Sequence, residues 1–350
     1  MSALFHLQRD ADLSARNTFR VAARAPWLLR VNQATALPEA LALEQVRGQP
    51  LLVLGGGSNL LFAGDAPGVV MELGAARIGI AEDRGASVRV RAEAGAAWHE
   101  LVMWSLGQGL CGLENLALIP GSVGAAPIQN IGAYGVEAGM HIVAVDAWDR
   151  QQARWLRLDR DACAFGYRDS VFKQHPGRWI ITALELELAR EERAAPALQL
   201  GYAGVEAELA AMGVTSPRAR DVAAAIIRVR QRKLPDPLVT GNAGSFFKNP
   251  LVPAPQAAAL QAAHPQLPVF PGTTADTRKL PAAWLIEACG VKGMREGDAG
   301  ISAAHALVLV NHGTASGAQL LALARQVAAT VQARFDVALE PEPGIIGAQW

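Results

Sequence analysis

The chain has 350 residues, 51% of them hydrophobic and 18% charged, which is a globular composition and excludes a disordered protein. That length exceeds what one hydrophobic core usually serves, so two or three domains are expected. Lys+Arg and Asp+Glu balance at 32 each, so no global field draws the protein to nucleic acid or to a membrane.

The three cysteines, Cys111, Cys163 and Cys289, are widely spaced and contain no CxxC pair. That argues against a disulfide framework or a zinc site and fits a reducing compartment. The opening "MSALFHLQRDADLSARNTF" lacks a basic segment followed by an apolar one, and no apolar run is long enough to span a bilayer. A soluble, cytoplasmic protein is expected.

In chain order, "PLLVLGGG", "GVVMEL", "SVRVRAEAG", "HIVAVDAWD" and "WIITALELEL" read as strands, the last by its alternation of apolar and charged residues. "AWHELVMWSLGQG" reads as a helix closed by glycine. Beyond them, "DVAAAIIRVRQRKLPDP" reads as a helix stopped by Pro235 and Pro237. "PQAAALQAAH", "PAAWLIEACG" and "SGAQLLALARQVAATVQARF" read as further helices; in the last, Leu320, Leu323, Val327 and Val331 form one apolar stripe and Ser316 is placed to cap the start. Strand-like "HALVLVN" precedes that helix and "DVALEPEPGIIG" follows it. The pattern is α+β, with a boundary near "KLPDP".

"LLVLGGGSNLLF" runs an apolar strand into Gly55, Gly56 and Gly57, followed by Ser58 and Asn59. Consecutive glycines bring backbone N–H groups close to a ligand, and such a nest suits phosphate. The spacing is not a dinucleotide fingerprint, because the third glycine and the long helix are missing. Alone, the loop reads equally well as a turn after a buried strand. A second segment, "GLENLALIPGSVGAAPIQNIGAYGVE" (112–137), is long and loop-like; its small residues leave room for a large flat ligand, and Ser122, Gln129, Asn130 and Tyr134 offer hydrogen bonds. Loops of that length are usually functional. Two glycine-rich loops in one β-rich half point to a bulky cofactor carrying a diphosphate. "GNAGSFFKNP" (241–250) reads locally as a tight turn leading into a buried strand.

"NTFRV", "LGGGSNLL", "LENLALIPGSVGAAPIQNIGAYG", "FGYRDSVFK", "GNAGSFFKNP", "KLPAAWLIEACGVKGMREGDAGISAAHALVLVN" and "LEPE" occur in this order. Together they resemble the UDP-N-acetylenolpyruvoylglucosamine reductase family, flavoenzymes of peptidoglycan precursor synthesis, from about Asn17 to Gly347. The resemblance implies a two-lobed FAD-binding domain of the vanillyl-alcohol-oxidase type, residues 1–73 and 74–232. A separate α+β substrate domain follows over 233–336, and the strand in 337–350 is expected to return to the second lobe. It implies FAD and NADPH as cofactors, a small-molecule UDP-sugar substrate, and a monomer.

By the same resemblance, FAD is held by Gly55, Gly56, Gly57, Ser58 and Asn59 and by the loop containing Pro120, Gly121, Ser122, Gly124, Asn130, Gly132, Ala133 and Tyr134, with Thr18 and Arg20 helping to position it. Neither glycine loop contains histidine, so a non-covalent flavin is expected. Ser245 matches the family's proton donor, Arg168 the residue that stabilises the substrate carboxylate, and Glu342 the acidic partner. Tyr167, Tyr202, Lys233 and Asn249 match substrate-binding positions. The chain departs from the pattern at Phe270, where many relatives have tyrosine, and at Pro343 and Gly344, where valine and arginine are frequent. Read without the other motifs, Arg168 is a surface ion-pair residue and Glu342 a solvated strand end. The competing functional readings are another FAD-dependent oxidase or dehydrogenase acting on an alcohol or hydroxy acid, and a nucleotide-binding regulator without chemistry.

Overall fold

The computed structural model describes residues 4–194, 198–202 and 204–350, except for the side chain of residue 194. The chain divides into two units, the first comprising Met1–Ala11, Ala25–Gly56 and Pro67–Arg232, the second Asp12–Arg24, Gly57–Ala66 and Lys233–Trp350.

The first unit carries two sheets. The smaller has the order Phe5–Asp12, Arg24–Val31, Val69–Leu73, Leu51–Val53, and its last three strands run parallel. Leu29, Val31, Val69 and Met71 pack beneath the short helix Leu37–Ala42 through Leu37 and Ala40.

The larger sheet is antiparallel, in the order Arg154–Asp159, Ile142–Asp149, Trp179–Arg190, Ser87–Glu93, Ile78–Asp83. Its alternating pattern separates two faces. Val88, Val90, Ala92, Val145, Leu184 and Leu186 lie in the core with Trp98, Leu101 and Val102 of helix Trp98–Gly107 and with Val222 and Ile226 of helix Ala219–Lys233. The other face carries cross-strand ion pairs: Arg89 to Glu185 at 3.1 Å, Arg157 to Glu185 at 2.7 Å, and Arg157 to Asp146 at 3.1 Å.

In the second unit an antiparallel sheet runs Gly241–Ser245, Val308–Asn311, Ala299–Ile301, Arg295–Glu296. Helix Gly317–Phe335 begins with a complete capping box between Ser316 and Gln319 and buries Leu320, Leu323, Val327 and Val331. A three-stranded sheet, Leu251–Pro253, Thr277–Lys279, Phe270–Pro271, completes this unit with helices Ala254–Ala263 and Ala282–Ala288.

Three expectations need correction. "GNAGSFFKNP" is not a turn before a strand: Gly241–Ser245 is itself a strand, irregular between Asn242 and Ser245. The segment 112–137 is not structureless, since Glu114–Leu116 and Val123–Ala125 form helical turns and Gly132–Ala133 pairs with Val136–Glu137. The terminal strand Gly344–Ile346 pairs in parallel with Leu60–Phe62 rather than returning to 74–232, and Asp12–Arg24 and Gly57–Ala66 also group with the second unit.

Candidate functional site

In the first unit the two glycine-rich loops lie backbone to backbone. A Cβ on Gly56 would sit 3.0 Å from Gly121 Cα, and one on Gly55 would sit 2.5 Å from Ser122 Oγ. Glycine is required here by close approach rather than by flexibility. Among the described residues no backbone carbonyl accepts from the N–H groups of Gly55, Gly56, Gly121 or Ser122. Amide donors left without a backbone acceptor where two loops meet are suited to an anion. That is the fit expected of residues that hold a dinucleotide's diphosphate.

The second loop is fastened from beneath. Trp98 N–H donates to Gly121 O at 2.9 Å, Val123 N–H to Ala96 O at 2.8 Å, and Gly124 N–H to Ala94 O at 2.9 Å. Gly124 has no room for a side chain, because a Cβ there would meet Ala94 Cβ at 2.6 Å. Pro120 is exposed. Asn130 is buried and fully used: its Nδ2 donates to Glu137 and to Gly166 O at 3.0 Å, and its Oδ1 accepts from Gly139 N–H at 2.8 Å. Asn130, Tyr134 and Arg168 all adopt left-handed backbone angles, φ 47°, 49° and 53°. Asparagine tolerates this angle, but for tyrosine and arginine it is costly, and such strain concentrates where function fixes geometry. Arg168 donates to Gly132 O at 2.9 Å, which ties it to the Gly132–Ala133 turn, while Tyr167 beside it is exposed. Tyr202 meets Tyr134 edge-on at 5.3 Å, so a residue expected at the cofactor and one expected at the substrate come together.

In the second unit Gly57 (φ 60°) has no space for a Cβ, which would lie 2.0 Å from Arg16 O. Thr18 N–H donates to Gly57 O at 3.1 Å, so Thr18 shapes the glycine loop. Arg20 (φ 57°) reaches away from that loop and donates to Leu238 O at 2.9 Å. Ser58 is half-buried. Asn59 donates to Glu342 O at 3.4 Å and its own carbonyl accepts from Gly344 N–H at 3.0 Å.

Glu342 is drawn to the serine strand as well, since its N–H donates to Phe246 O at 2.7 Å. Ser245 is half-buried, follows Gly244 at φ 70°, and precedes the buried Phe246 and Phe247. Lys248 pairs with Glu340 at 2.8 Å. Asn249 Oδ1 accepts from Ala282 N–H at 3.0 Å, at the start of helix Ala282–Ala288, so half of this amide is committed to the fold. Lys233 is exposed, and Phe270 is 48% exposed on the short strand Phe270–Pro271.

The comparisons with known proteins agree on what these loops belong to. A family model described as an FAD binding domain matches residues 26–159, and one described as the C-terminal domain of UDP-N-acetylenolpyruvoylglucosamine reductase matches 236–346. The UDP-N-acetylenolpyruvoylglucosamine reductase of Xanthomonas euvesicatoria is 58% identical over 99% of this chain and 98% of its own. The chain belongs to the UDP-N-acetylenolpyruvoylglucosamine reductase family. The Xanthomonas campestris enzyme of that name is 59% identical over the same shares. A crystal structure of the Thermus caldophilus reductase superposes with a TM-score of 0.67 at 25% identity, covering 98% of this chain and 99% of that one. The fold is thus α+β with an FAD-binding domain, as the motifs of this reductase family imply.

Three residues of the site region escaped the sequence reading. Arg230 is half-buried on helix Ala219–Lys233, its charge disfavoured by burial, and its Nε has no partner among the described residues. It also bonds the Tyr134 hydroxyl, whose ionisation burial makes harder. The signal was present: Arg230 stands four residues after Ile226, so the apolar stripe runs straight into a cation. His99 Nδ1 accepts from Leu118 N–H at 3.0 Å, and burial followed by Arg230 depresses its pKa. His305 is likewise depressed, first by burial and then by Lys233. His99 lies within the helix "AWHELVMWSLGQG" and His305 within the motif ending "HALVLVN", but nothing in either stretch marks the histidine, so only the tertiary structure reveals their surroundings.

Proposed function

We propose that the chain reduces UDP-N-acetylglucosamine enolpyruvate to UDP-N-acetylmuramate, using NADPH and non-covalently bound FAD. The observation that carries this reading is the lacing of Glu342 to the serine strand through the 2.7 Å bond to Phe246 O, beside a half-buried Ser245. An oxidase of the same architecture has no need of a serine and a glutamate whose backbones are laced together in this way.

The amides of Gly55, Gly56, Gly121 and Ser122 would hold the diphosphate of FAD, and the half-buried Arg230, whose Nε has no partner among the described residues, is a candidate cation for the same cofactor. Bound FAD would supply the redox chemistry, carrying a hydride from NADPH to the vinyl carbon of the enolpyruvyl ether. Charge then accumulates on the neighbouring carbon and the conjugated carboxylate. Arg168, fixed by its strained backbone and its bond to Gly132 O, offers a cation where that charge develops. Ser245 Oγ–H gives its proton to the carbanionic carbon, closing the new C–H bond, and the alkoxide regains a proton from water. Serine is a weak acid, but the receiving carbon is a strong base, so a donor at hydrogen-bond range suffices. Glu342 orients the serine end of this exchange. Lys233 and Asn249 meet the UDP diphosphate, Tyr202 and Tyr167 pack against the substrate, and Phe270 gives apolar cover.

The test is to mix purified protein with UDP-N-acetylglucosamine enolpyruvate and NADPH and look for the lactyl ether by mass spectrometry. Product formation with one NADPH consumed per turnover is expected, as is a yellow protein that releases its flavin on heating or acid. NADPH oxidation without lactyl product, or a flavin that stays with precipitated protein, would overturn the reading.

A further inference from the structure

We infer that Trp350 is a positioning residue for Ser245, acting through a small aromatic cluster; this rests on Ser245 being the proton donor. Upstream, the strand holding Ser245 is anchored at Asn242, whose N–H donates to Thr18 O at 2.9 Å and whose Oδ1 accepts from Gly244 N–H at 2.9 Å. Its ladder with Val308–Asn311 is irregular between Asn242 and Ser245, and Gly244 stands at φ 70° in open space. Between that anchor and Ser245 lies the irregular stretch, so the residues just after the serine also bear on its position. Phe246 N–H donates to Leu307 O at 2.7 Å, and the Phe246 and Phe247 rings, both sealed from solvent, lie 5.1 Å apart. Phe19 touches Phe246 at 6.3 Å from one side. Trp350 covers both phenylalanines from another, with ring centroids at 6.4 and 6.1 Å.

The indole is itself held in place. Arg325, on helix Gly317–Phe335, donates to Gln349 O at 2.5 Å, and Gly347 lies so close to Gly64 that a Cβ would meet its Cα at 2.8 Å. Trp350 is 43% exposed, whereas the phenylalanines are at most 1% exposed. It is thus the one member of this cluster whose removal leaves the buried core filled, while it frees the two rings that follow Ser245. A small displacement of a reacting group costs rate steeply even when the fold survives.

The experiment is stopped-flow flavin absorbance, one half-reaction at a time, on holoenzyme carrying Trp350→Ala, Trp350→Phe or Ser245→Ala. Trp350→Ala should leave flavin reduction by NADPH within about twofold of the parent and slow reoxidation by the enolpyruvyl substrate roughly ten- to a hundredfold. The solvent deuterium isotope effect on reoxidation should rise, because proton delivery becomes the slow event, and Trp350→Phe should restore most of the rate. Equal slowing of both halves, or an unchanged isotope effect, would overturn the inference. Should Trp350→Ala fail to bind flavin, Arg325→Ala keeps the ring but releases its tether; it should slow the same half-reaction selectively, and no selective slowing would overturn the idea. If Ser245→Ala slows reoxidation while Trp350→Ala does not, this inference alone fails. If Ser245→Ala leaves reoxidation unslowed, the proton-donor reading fails first.

Discussion

The glycine loops of the first unit and the serine strand of the second use similar residues for opposite reasons. At Gly55 and Gly56 glycine is required by close approach, because two backbones come within contact of each other and leave their amides without backbone acceptors. At Gly244 space is plentiful and only the backbone angle, φ 70°, demands glycine. In the function proposed above, one region would recognise a ligand with main-chain groups and tolerates almost no added atom. The other would act through side chains and so depends on how their strand is held.

The largest expected effect breaks the second region alone. Ser245→Ala should leave flavin reduction by NADPH near normal and slow reoxidation by substrate by about two to four orders of magnitude, the span of general acid–base catalysis. Flavin absorbance in each half-reaction reads this directly. Next comes the substrate's charge. Lys233→Ala should weaken substrate binding by about 1.5–3 kcal/mol, the range for a hydrogen bond to a charged group. Titration of the oxidised enzyme with substrate measures it, and an unchanged affinity would remove Lys233 from the site.

A pair of glycine substitutions sharpens the contrast. Gly56→Ala places a methyl 3.0 Å from Gly121 Cα, so the two loops must part. FAD affinity should fall by about 1–3 kcal/mol, as for overpacking. Gly244→Ala meets nothing within 4 Å and should cost stability by about 1–2 kcal/mol through its left-handed angle, leaving FAD affinity unchanged. Equilibrium dialysis of flavin and thermal melts separate the two; equal loss of FAD in both would erase the distinction.

How much of this was legible beforehand follows the same division. The strands with clean alternation, Ser87–Glu93 and Trp179–Arg190, and the helix with its capping serine were readable because one face is apolar and the other charged. Arg24–Val31 was missed: Pro26 and flanking arginines hide the period of a strand with a parallel neighbour. Phe5–Asp12 was missed as well, being mostly exposed and lacking an apolar face. The glycine-rich loops were legible as candidate ligand sites, whereas the expected roles of Ser245, Asn249 and their neighbours rested on the resemblance to the family rather than on the residues alone. Arg230 carried only a faint local signal, a cation in line with an apolar stripe, and nothing local marks His99 or Trp350, whose contacts lie more than ten positions away.

The histidines give a pH test of the first region. Burial and then Arg230 hold His99 below its usual pKa, with Glu100 opposing, so the folded state prefers neutral imidazole. The unfolded chain then binds more protons, and stability rises with pH. The contribution is present above about pH 6.5, the unfolded value, and is lost as pH falls from there toward the depressed folded pKa. Protonation would also remove the Nδ1 acceptor that Leu118 N–H uses, loosening the second loop. Thermal melts between pH 5 and 8 should show this decline, and His99→Gln should flatten it in part, since His141 and His305 are depressed too. An unaltered profile in His99→Gln would exclude His99 as a source.

The smallest effect concerns the departure at Phe270. Its ring is 48% exposed on a two-residue strand opposite Lys279, so a hydroxyl added at its tip enters no filled space. Phe270→Tyr should therefore change stability by less than about 0.5 kcal/mol, as exposed substitutions do. If the loop covers the UDP diphosphate, the new hydroxyl gains an acceptor and substrate affinity should hold or tighten. If instead the ring packs into an apolar wall that forms only when substrate binds, the hydroxyl loses water without a partner and affinity falls. Substrate titration of the two proteins side by side decides between a polar and an apolar cover, and a weakened Phe270→Tyr would exclude the polar one.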